Sequence, residues 1–169
     1  MRIGYGYDAH RLKEGRRCIL CGVEVDCAFG PDGHSDADVP VHALIDALLG
    51  AAALGDIGKH FPDTDESYRG ADSIELLKKT YELVCDCGYT LGNADITIVL
   101  QEPKLLPYID RMRSRIASAL GTNTGNISVK ATTEENMGFT GAGEGISSTA
   151  MVLLLSDSSA SAVHSPEQR

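Results

Sequence analysis

Residues 33–50 constrain the fold more than any other stretch, because a loop crowded with polar side chains leads there directly into an apolar helix. The spacing of one helical face is kept by Val41, Leu44, Ile45, Leu48 and Ala52. Asp38 is placed to cap this helix, and Pro40 sits where a first-turn proline is tolerated. His42 therefore falls in the opening turn, beside free backbone N–H groups that attract anions.

Three side chains from two distant parts of the chain form a candidate metal set. If residues 3–8 form a strand, Asp8 and His10 point to the same side. With His42 they offer two imidazoles and one carboxylate, a set typical of catalytic zinc because it leaves a fourth position open. Asp46 projects from the same side of the helix as His42. Spacing alone leaves two alternatives open: a solvated helix cap with incidental histidines, and an Asp-x-His pair hydrogen-bonded to a turn.

The size and charge of the chain bear on its class. At 169 residues it is expected to form one domain with a real hydrophobic core. Its net charge of −9 argues against a broad nucleic-acid or anionic-membrane surface, and no apolar run reaches membrane-spanning length. No signal-peptide pattern follows the first residues. We therefore expect a cytoplasmic protein that binds neither nucleic acid nor membranes.

The five cysteines, an odd number without an export signal, predict reduced thiols. Cys18 and Cys21 have the spacing of a zinc knuckle or a redox pair, but no second Cys-x-x-Cys follows. Their apolar flanks favour a strand over residues 18–25 instead.

Hydrophobic periodicity predicts strands and helices over the rest of the domain. Strands are expected over residues 3–8, 18–25, 91–100, 127–131 and 146–155. Helices are expected from the Asp38 cap to about 54, from a capping box at 72–75 to near 88, and over 107–120. A charged turn is expected at 11–17, and loops at 29–33 and 55–65. The last strand is apolar almost throughout, so both its faces should be covered, by helices or by other subunits.

Residues 132–145 combine four glycines with hydroxyl and carboxylate side chains. Backbone donors and hydroxyls there can approach a phosphate, while the carboxylates can hold a hard cation. The Gly-Lys-Ser/Thr of a Walker loop is absent. By itself the segment is typical of a flexible hairpin.

Seven sequence blocks, all in one order, resemble the 2-C-methyl-D-erythritol 2,4-cyclodiphosphate synthase family of the non-mevalonate isoprenoid pathway. They are Gly-Tyr-Asp-Ala-His at 6–10, His-Ser-Asp-Ala-Asp at 34–38, residues 42–58, Phe-Pro-Asp-Thr-Asp at 61–65, Gly-Tyr-Thr-Leu-Gly-Asn at 88–93, Lys-Ala-Thr-Thr at 130–133 and Gly-Phe-Thr-Gly at 138–141. The resemblance covers residues 1–155 as a single domain. Residues 156–169 are then expected to form a disordered tail, since Ser, Ala, Pro and Gln replace the apolar pattern there.

This resemblance implies an α+β fold, with a mixed β-sheet and helices on one side, assembled as a homotrimer with active sites between subunits. The implied substrate is 4-diphosphocytidyl-2-C-methyl-D-erythritol 2-phosphate, which a phosphorus–oxygen lyase reaction converts to the cyclodiphosphate and CMP. Zinc, or another divalent transition metal, is implied at Asp8, His10 and His42. Glu135 matches the ligand of a magnesium or manganese ion that bridges the substrate diphosphate.

The resemblance also implies a set of residues that contact the reacting groups and the substrate. His34 and Thr133 match groups that stabilise the transition state. The methylerythritol contacts match Asp46, Asp56, Ile57 and Gly58. The cytidine diphosphate pocket, contributed across the interface, matches Leu100, Gln101, Glu102, Pro103, Lys104, Leu105, Leu106, Thr132, Thr133, Glu134 and Glu135. Further matched contacts are Asp8, Ala9, His10, His34, Ser35, Phe61, Pro62, Asp63, Thr64, Asp65, Phe139 and Ala142.

Three positions depart from the family pattern, and two of them are Tyr5 and Tyr7, where histidine and phenylalanine are frequent. The third bears on ligand binding. The family commonly has an arginine after Phe-Thr-Gly, associated with an isoprenoid diphosphate on the trimer axis, whereas this chain has Ala142. Such binding is therefore not expected here.

Two other functions compete with the cyclase reaction. The first is a mononuclear zinc phosphohydrolase that uses the same three ligands to activate water. The second is a non-catalytic module that binds a metal and a nucleotide. Thr133 and Glu135 argue against the second, because a mere zinc-binding module has no use for them.

Overall fold

A computed structural model of the protein describes residues 1–62, 64–65, 68 and 70–156. Its strands are β1 (Arg2–Glu14), β2 (Cys18–Leu20), β3 (Val23–Val25), β4 (Phe29–Pro31), β5 (Tyr89–Val99), β6 (Ile127–Thr132) and β7 (Gly145–Ser156). Its helices are α1 (Val39–Ala52), α2 (Ile57–His60), α3 (Ser73–Asp86), α4 (Ile109–Ala119) and α5 (Gly138–Gly141).

Five of the strands form one mixed sheet, in the order β4-β1-β7-β5-β6. Strands β1 and β5 both pair antiparallel with β7, whereas β5 and β6 run parallel. Strands β2 and β3 form a separate hairpin. Helix α1 packs against β1 and β7, and α3 packs against α1. The predicted combination of a mixed sheet with helices is confirmed.

Two glycines of β1 let α1 lie directly on the sheet. A Cβ at Gly4 would lie 1.9 Å from the Ala47 carbonyl oxygen, and one at Gly6 would lie 2.0 Å from the Ala43 carbonyl oxygen. No other residue type fits so close to a helix backbone. The contact brings the first turn of α1 to the part of β1 that carries Asp8.

Asp38 caps α1, as predicted, and has a second role that the sequence did not indicate. Its carboxylate accepts a hydrogen bond from the Val41 N–H (3.3 Å) and others from the N–H groups of Cys21 (2.8 Å) and Gly22. It thus joins the helix start to the β2–β3 turn. Burial, with the charge of nearby Asp36, raises the pKa of Asp38 to about 7, although the backbone donors favour the charged form.

Pairing with distant strands explains why two predictions near the N-terminus were wrong. Residues 11–17 are not simply a charged turn, because β1 continues to Glu14 and pairs with β4. The same pairing makes Phe29–Pro31 a strand rather than part of a loop. The single strand predicted over 18–25 is split by a turn at Cys21 and Gly22, where φ is +52° and +69°.

Short helices replace parts of two predicted irregular segments. Helix α2 lies within the expected loop 55–65, and α5 lies within the expected hairpin 132–145. The cap predicted at the start of α3 is confirmed, since Asp72 accepts a hydrogen bond from the Ile74 N–H (2.8 Å). The Glu75 carboxylate contacts Lys78 (2.6 Å) instead of completing the capping box. Strand β7 includes residue 156, and the rest of the predicted tail, 157–169, lies outside the described residues.

One face of the sheet carries exposed apolar side chains in the single chain. Ile3, Tyr5 and Tyr7 of β1 are 78%, 58% and 50% exposed, and Met151 of β7, the register partner of Tyr5, is 55% exposed. We expected both faces of the last strand to be covered. Within a single chain, only one face of β7 is covered. No helix in the described part of the chain has the length and apolar character needed to cross a membrane.

Candidate functional site

The three predicted metal ligands meet at one point. The Asp8 Oδ2 atom lies 3.1 Å from Nδ1 of His10 and 3.1 Å from Nδ1 of His42. One ligand atom from each residue lies within 4.8 Å of the other two, and no other such group occurs among the described residues. Tetrahedral zinc, with bonds of about 2.0–2.2 Å, requires ligand atoms roughly 3.3–3.6 Å apart. The spacing suits one such ion.

Hydrogen bonding leaves the right atoms available for a metal ion. The Ala9 N–H donates to Asp8 Oδ1 (2.8 Å), so the other carboxylate oxygen faces the histidines. The His10 Nδ1 atom is buried and, among the described residues, has no hydrogen-bond partner. Its 3.1 Å contact with Asp8 is therefore close but not aligned as a hydrogen bond. A buried nitrogen left in this way fits a metal ligand better than a structural histidine.

The charges of the three residues favour an ionised carboxylate. Burial opposes the charged form of Asp8, but the contacts with His10 and His42 outweigh it and hold the pKa of Asp8 well below its ordinary value. Burial likewise opposes the charged form of His42, but the Asp8 carboxylate outweighs it and raises the pKa of His42. A proton between Asp8 and His42 would thus compete with a metal cation for the same atoms.

The cluster opens into a cavity of about 510 Å³. Many predicted contacts line it: Asp8, His10, His34, Ser35, His42, Ile57, Gly58, Phe61 and Asp65. Sequence reasoning missed four further lining residues: Asp32, Gly33, Tyr68 and Leu76. The position of Asp32, two residues before His34, is a signal that could have identified it. Tyr68, whose ring contacts that of Phe61 edge-on at 5.4 Å, had no comparable signal.

Other predicted contacts do not line this cavity. Asp46 accepts a hydrogen bond from the Ile57 N–H (2.8 Å), and Asp56 accepts one from the Lys59 N–H (2.9 Å), so both hold α2 in place. Ala9 is exposed on β1. Pro62 and Thr64 are absent from the lining, and Asp63 lies outside the described residues.

The predicted nucleotide segments lie at a different cavity, of about 280 Å³. It is lined by Leu100, Gln101, Pro103, Lys104, Leu105, Leu106, Ala131, Thr132 and Thr133. A third cavity, of about 200 Å³, is lined by Leu12, Phe29, Leu100, Gln101, Glu102, Gly141, Ala142 and Gly143. The two predicted segments are thus brought together, but a single chain does not bring them to the metal cluster.

The segment after β6 holds two carboxylates in defined positions. The Thr133 hydroxyl donates to the Glu135 carboxylate (2.8 Å), and the Thr140 hydroxyl donates to Glu134. Glu135 and Asn136 have φ of +52° and +64°. Residues other than glycine seldom adopt such backbone angles, and those that do cluster at functional sites. Phe139 is 44% exposed and lies over Gly145.

Comparison with known proteins identifies the family. The model of the YgbB family matches residues 1–155. The chain belongs to the YgbB family. A relative from Moorella thermoacetica, a 2-C-methyl-D-erythritol 2,4-cyclodiphosphate synthase, is 62% identical over 155 residues, which cover 92% of this chain and 95% of the relative.

Solved structures of the family have the same fold. A 2C-methyl-D-erythritol-2,4-cyclodiphosphate synthase in its CDP-bound form is 39% identical with a TM-score of 0.84, and the match covers 91% of this YgbB chain and 100% of that chain. The bifunctional IspDF from Campylobacter jejuni is 44% identical with a TM-score of 0.88 over 90% of this chain but 42% of that protein. The resemblance seen in the sequence is therefore confirmed, while the roles of single residues stay predictions.

Proposed function

We propose that this YgbB-family protein cyclises 4-diphosphocytidyl-2-C-methyl-D-erythritol 2-phosphate to 2-C-methyl-D-erythritol 2,4-cyclodiphosphate and releases CMP, a phosphorus–oxygen lyase reaction of the non-mevalonate pathway. The observation that carries the proposal is the Asp8-His10-His42 cluster at a cavity of about 510 Å³. It occurs in a chain 62% identical over 155 residues to a relative of that name.

The reaction needs no activated nucleophile from the protein. An oxygen of the substrate's 2-phosphate attacks the β-phosphorus, the bond from that phosphorus to the bridging oxygen breaks, and CMP leaves with the electron pair. The attacking phosphate is already ionised at neutral pH, so no strong general base is needed. The protein must instead hold the two phosphates together and neutralise their charge.

The donor set suits a transition metal at the cluster and a hard cation at the nucleotide segment. Asp8, His10 and His42 would hold zinc or a similar ion, and Glu135 would hold magnesium or manganese. Bound there, such ions would neutralise phosphate charge and make the phosphorus more electrophilic. His34 lines the cluster cavity and Thr133 the nucleotide cavity, from where each would stabilise charge on the transferring phosphate.

A homotrimer with shared active sites reconciles these positions. Within one chain the metal cluster and the Thr133 segment line separate cavities, so a complete site needs a second copy. The exposed sheet face of Ile3, Tyr5, Tyr7 and Met151 offers an apolar surface for such assembly. Three copies around an axis would cover it, and closed symmetry of this kind is common among oligomers.

Product analysis tests the reaction. The purified protein, incubated with the diphosphocytidyl substrate, zinc and magnesium, should yield CMP and a cyclic diphosphate in equal amounts. A linear phosphate product would instead identify the rival zinc phosphohydrolase, because water would then be the nucleophile. Binding without turnover would favour the non-catalytic module.

Subunit mixing tests the shared site. His42→Ala and Thr133→Ala should each be nearly inactive, but the trimers formed by equal co-expression of the two, taken together, should recover about a quarter of the wild-type rate. The reason is that one site in four then combines an intact cluster with an intact neighbour. Mixing His42→Ala with Asp8→Asn is the control, since both lesions fall on the cluster. No recovery in the first mixture would contradict the shared site.

A further inference from the structure

The side of the His42 ring that faces away from the metal cluster is held by hydroxyl groups. The His42 Nε2 atom lies 3.0 Å from the Ser73 hydroxyl and 3.2 Å from the Ser35 hydroxyl. Ser73 is fully buried and is the first residue of α3, 31 positions from His42. The ring is thus fixed on both sides, by Asp8 at Nδ1 and by hydroxyls at Nε2.

Asp36 determines how the Ser73 hydroxyl is used. Its carboxylate accepts a short hydrogen bond from the Ser73 hydroxyl and another, of 3.1 Å, from the Ser73 backbone N–H. A carboxylate accepts hydrogen bonds but has none to donate, so the single Ser73 hydroxyl hydrogen points to Asp36. Towards His42, the Ser73 oxygen can therefore only accept.

This arrangement fixes the tautomer of His42 in the metal-bound protein. Because Ser73 accepts, Nε2 carries a ring hydrogen. The Asp8 carboxylate, 3.1 Å from Nδ1, also accepts, so Nδ1 offers its lone pair once a metal ion takes the place of the hydrogen there. The Ser35 hydroxyl accepts from the Ala37 N–H (3.0 Å) and tolerates this tautomer, since its oxygen can accept again. The sequence did not indicate this series of hydrogen bonds from Asp36 through Ser73 to His42.

We propose that Asp36, acting through Ser73, is a positioning device that holds His42 as an Nε2–H tautomer and so presents Nδ1 to the metal ion. The inference rests on the metal centre of the proposed function. Carboxylates and other outer groups that orient a metal-binding histidine are typically worth 10- to 100-fold in metal affinity. Asp36 and Ser73 contact neither substrate nor metal in this account.

If Ser73 had only a structural role, Ser73→Ala would act by loosening the start of α3. The start of α3 is also held by Asp72, which caps Ile74, and by the Ser73 N–H bond to Asp36, and both survive Ser73→Ala. The substitution therefore removes the hydroxyl link while it keeps the helix anchored. Thr80 is a matched control, because it lies on α3, is fully buried, and its hydroxyl has no hydrogen-bond partner among the described residues.

The first test is zinc affinity, measured on the metal-free full chain by competition with a chromophoric chelator. Ser73→Ala should bind Zn²⁺ about 10- to 100-fold more weakly than wild type. Ser73→Thr, which keeps the hydroxyl, should recover most of the loss, and Thr80→Val should match wild type. Equal affinity of Ser73→Ala and wild type would overturn the inference. No zinc binding by wild type would instead contradict the metal centre of the proposed function.

The second test reads the tautomer itself and needs no substitution. Long-range ¹H–¹⁵N correlation spectra of the imidazoles distinguish a protonated nitrogen from one with a lone pair or a metal. In the zinc-loaded wild-type protein, Nε2 should carry the hydrogen and Nδ1 should bind the metal. Zinc bound through Nε2, with the hydrogen on Nδ1, would overturn the inference even if Ser73→Ala failed to fold.

Discussion

At the scale of single residues, the cluster is defined by which side-chain atoms face one another. Asp8 Oδ1 is occupied by a backbone N–H, while Oδ2 and the buried Nδ1 of His10 face the same space. His42 completes the set from another element. A proton held between Asp8 and His42 would be displaced by a metal ion, which links metal binding to pH.

The affinity for Zn²⁺ should therefore fall as the pH decreases, starting above the ordinary imidazole pKa of about 6.5. Burial opposes protonation of His42, but Asp8 outweighs it and raises the pKa, so protons compete for Nδ1 at higher pH than usual. Chelator competition across a pH series measures this. His42→Ala should bind zinc weakly at every pH, with a nearly unchanged melting transition. An affinity that stays constant until well below pH 6 would contradict the prediction.

Substitutions of Thr133 and Glu135 should change different kinetic properties, although the two side chains are hydrogen-bonded to each other (2.8 Å). A hydroxyl is a neutral donor to a phosphate, so Thr133→Ala should lower kcat by about 100-fold or more with little change in substrate affinity. A carboxylate is a ligand for hard cations, so Glu135→Gln should raise the magnesium concentration needed for half-maximal rate. Steady-state kinetics over a magnesium series separates the two, and identical behaviour would mean that the roles are wrongly divided.

At the scale of elements, the position of α1 on β1 decides where the site forms. The backbones touch at Gly4 and Gly6, which leaves no space for a Cβ, and Asp38 joins the start of α1 to the β2–β3 turn. His42 therefore reaches β1 from a helix that cannot shift along the strand. The site depends on this contact as much as on the ligands.

Gly6→Ala should destabilise the protein by about 3 kcal/mol or more, because the new Cβ would overlap the α1 backbone 2.0 Å away and force the helix off the strand. Zinc affinity should fall with it, since His42 moves with α1. Gly50→Ala is the matched control: its Cβ meets nothing closer than 4.0 Å, and alanine favours a helix over glycine by about 1 kcal/mol. Denaturant unfolding of both variants measures this, and equal stability of the two would contradict the account.

At the scale of the whole molecule, Ala142 should affect ligand binding on a trimer axis but not the proposed cyclase activity. Ala142 is exposed, and the residues that line its cavity include Glu102 but no lysine or arginine. An arginine at this position would supply three charges per trimer to a diphosphate. Each lost charge-assisted hydrogen bond costs on the order of 1.5–3 kcal/mol, so three together amount to several powers of ten in affinity.

Native mass spectrometry of the protein from an isoprenoid-producing cell should therefore show a trimer without a prenyl diphosphate. Ala142→Arg should bind added farnesyl diphosphate more tightly than wild type, and Ala142→Gln, which adds length without charge, should not. A wild-type trimer that retains one prenyl diphosphate would refute the prediction. Turnover of the diphosphocytidyl substrate by wild type is expected in either case.

The sequence by itself determined the elements whose signals are local. The cap at Asp38, the stripe of α1, the cap at Asp72 and the alternation of β5 all depend on residues a few positions apart, and the structure has them. The likeness of many ordered blocks also determined the family. The three metal ligands were found because their chemical types are few and their spacing suits a strand and a helix start.

The tertiary structure alone decided what depends on distant contacts. The extension of β1 to Glu14 needs the pairing with β4, and the turn at Cys21 needs the buried Asp38 carboxylate. The link from Asp36 to His42 joins residues of a loop and two helices that no sequence period connects. Hydrogen bonds of this kind form only after packing has removed water from their partners, so their geometry is a property of the folded molecule.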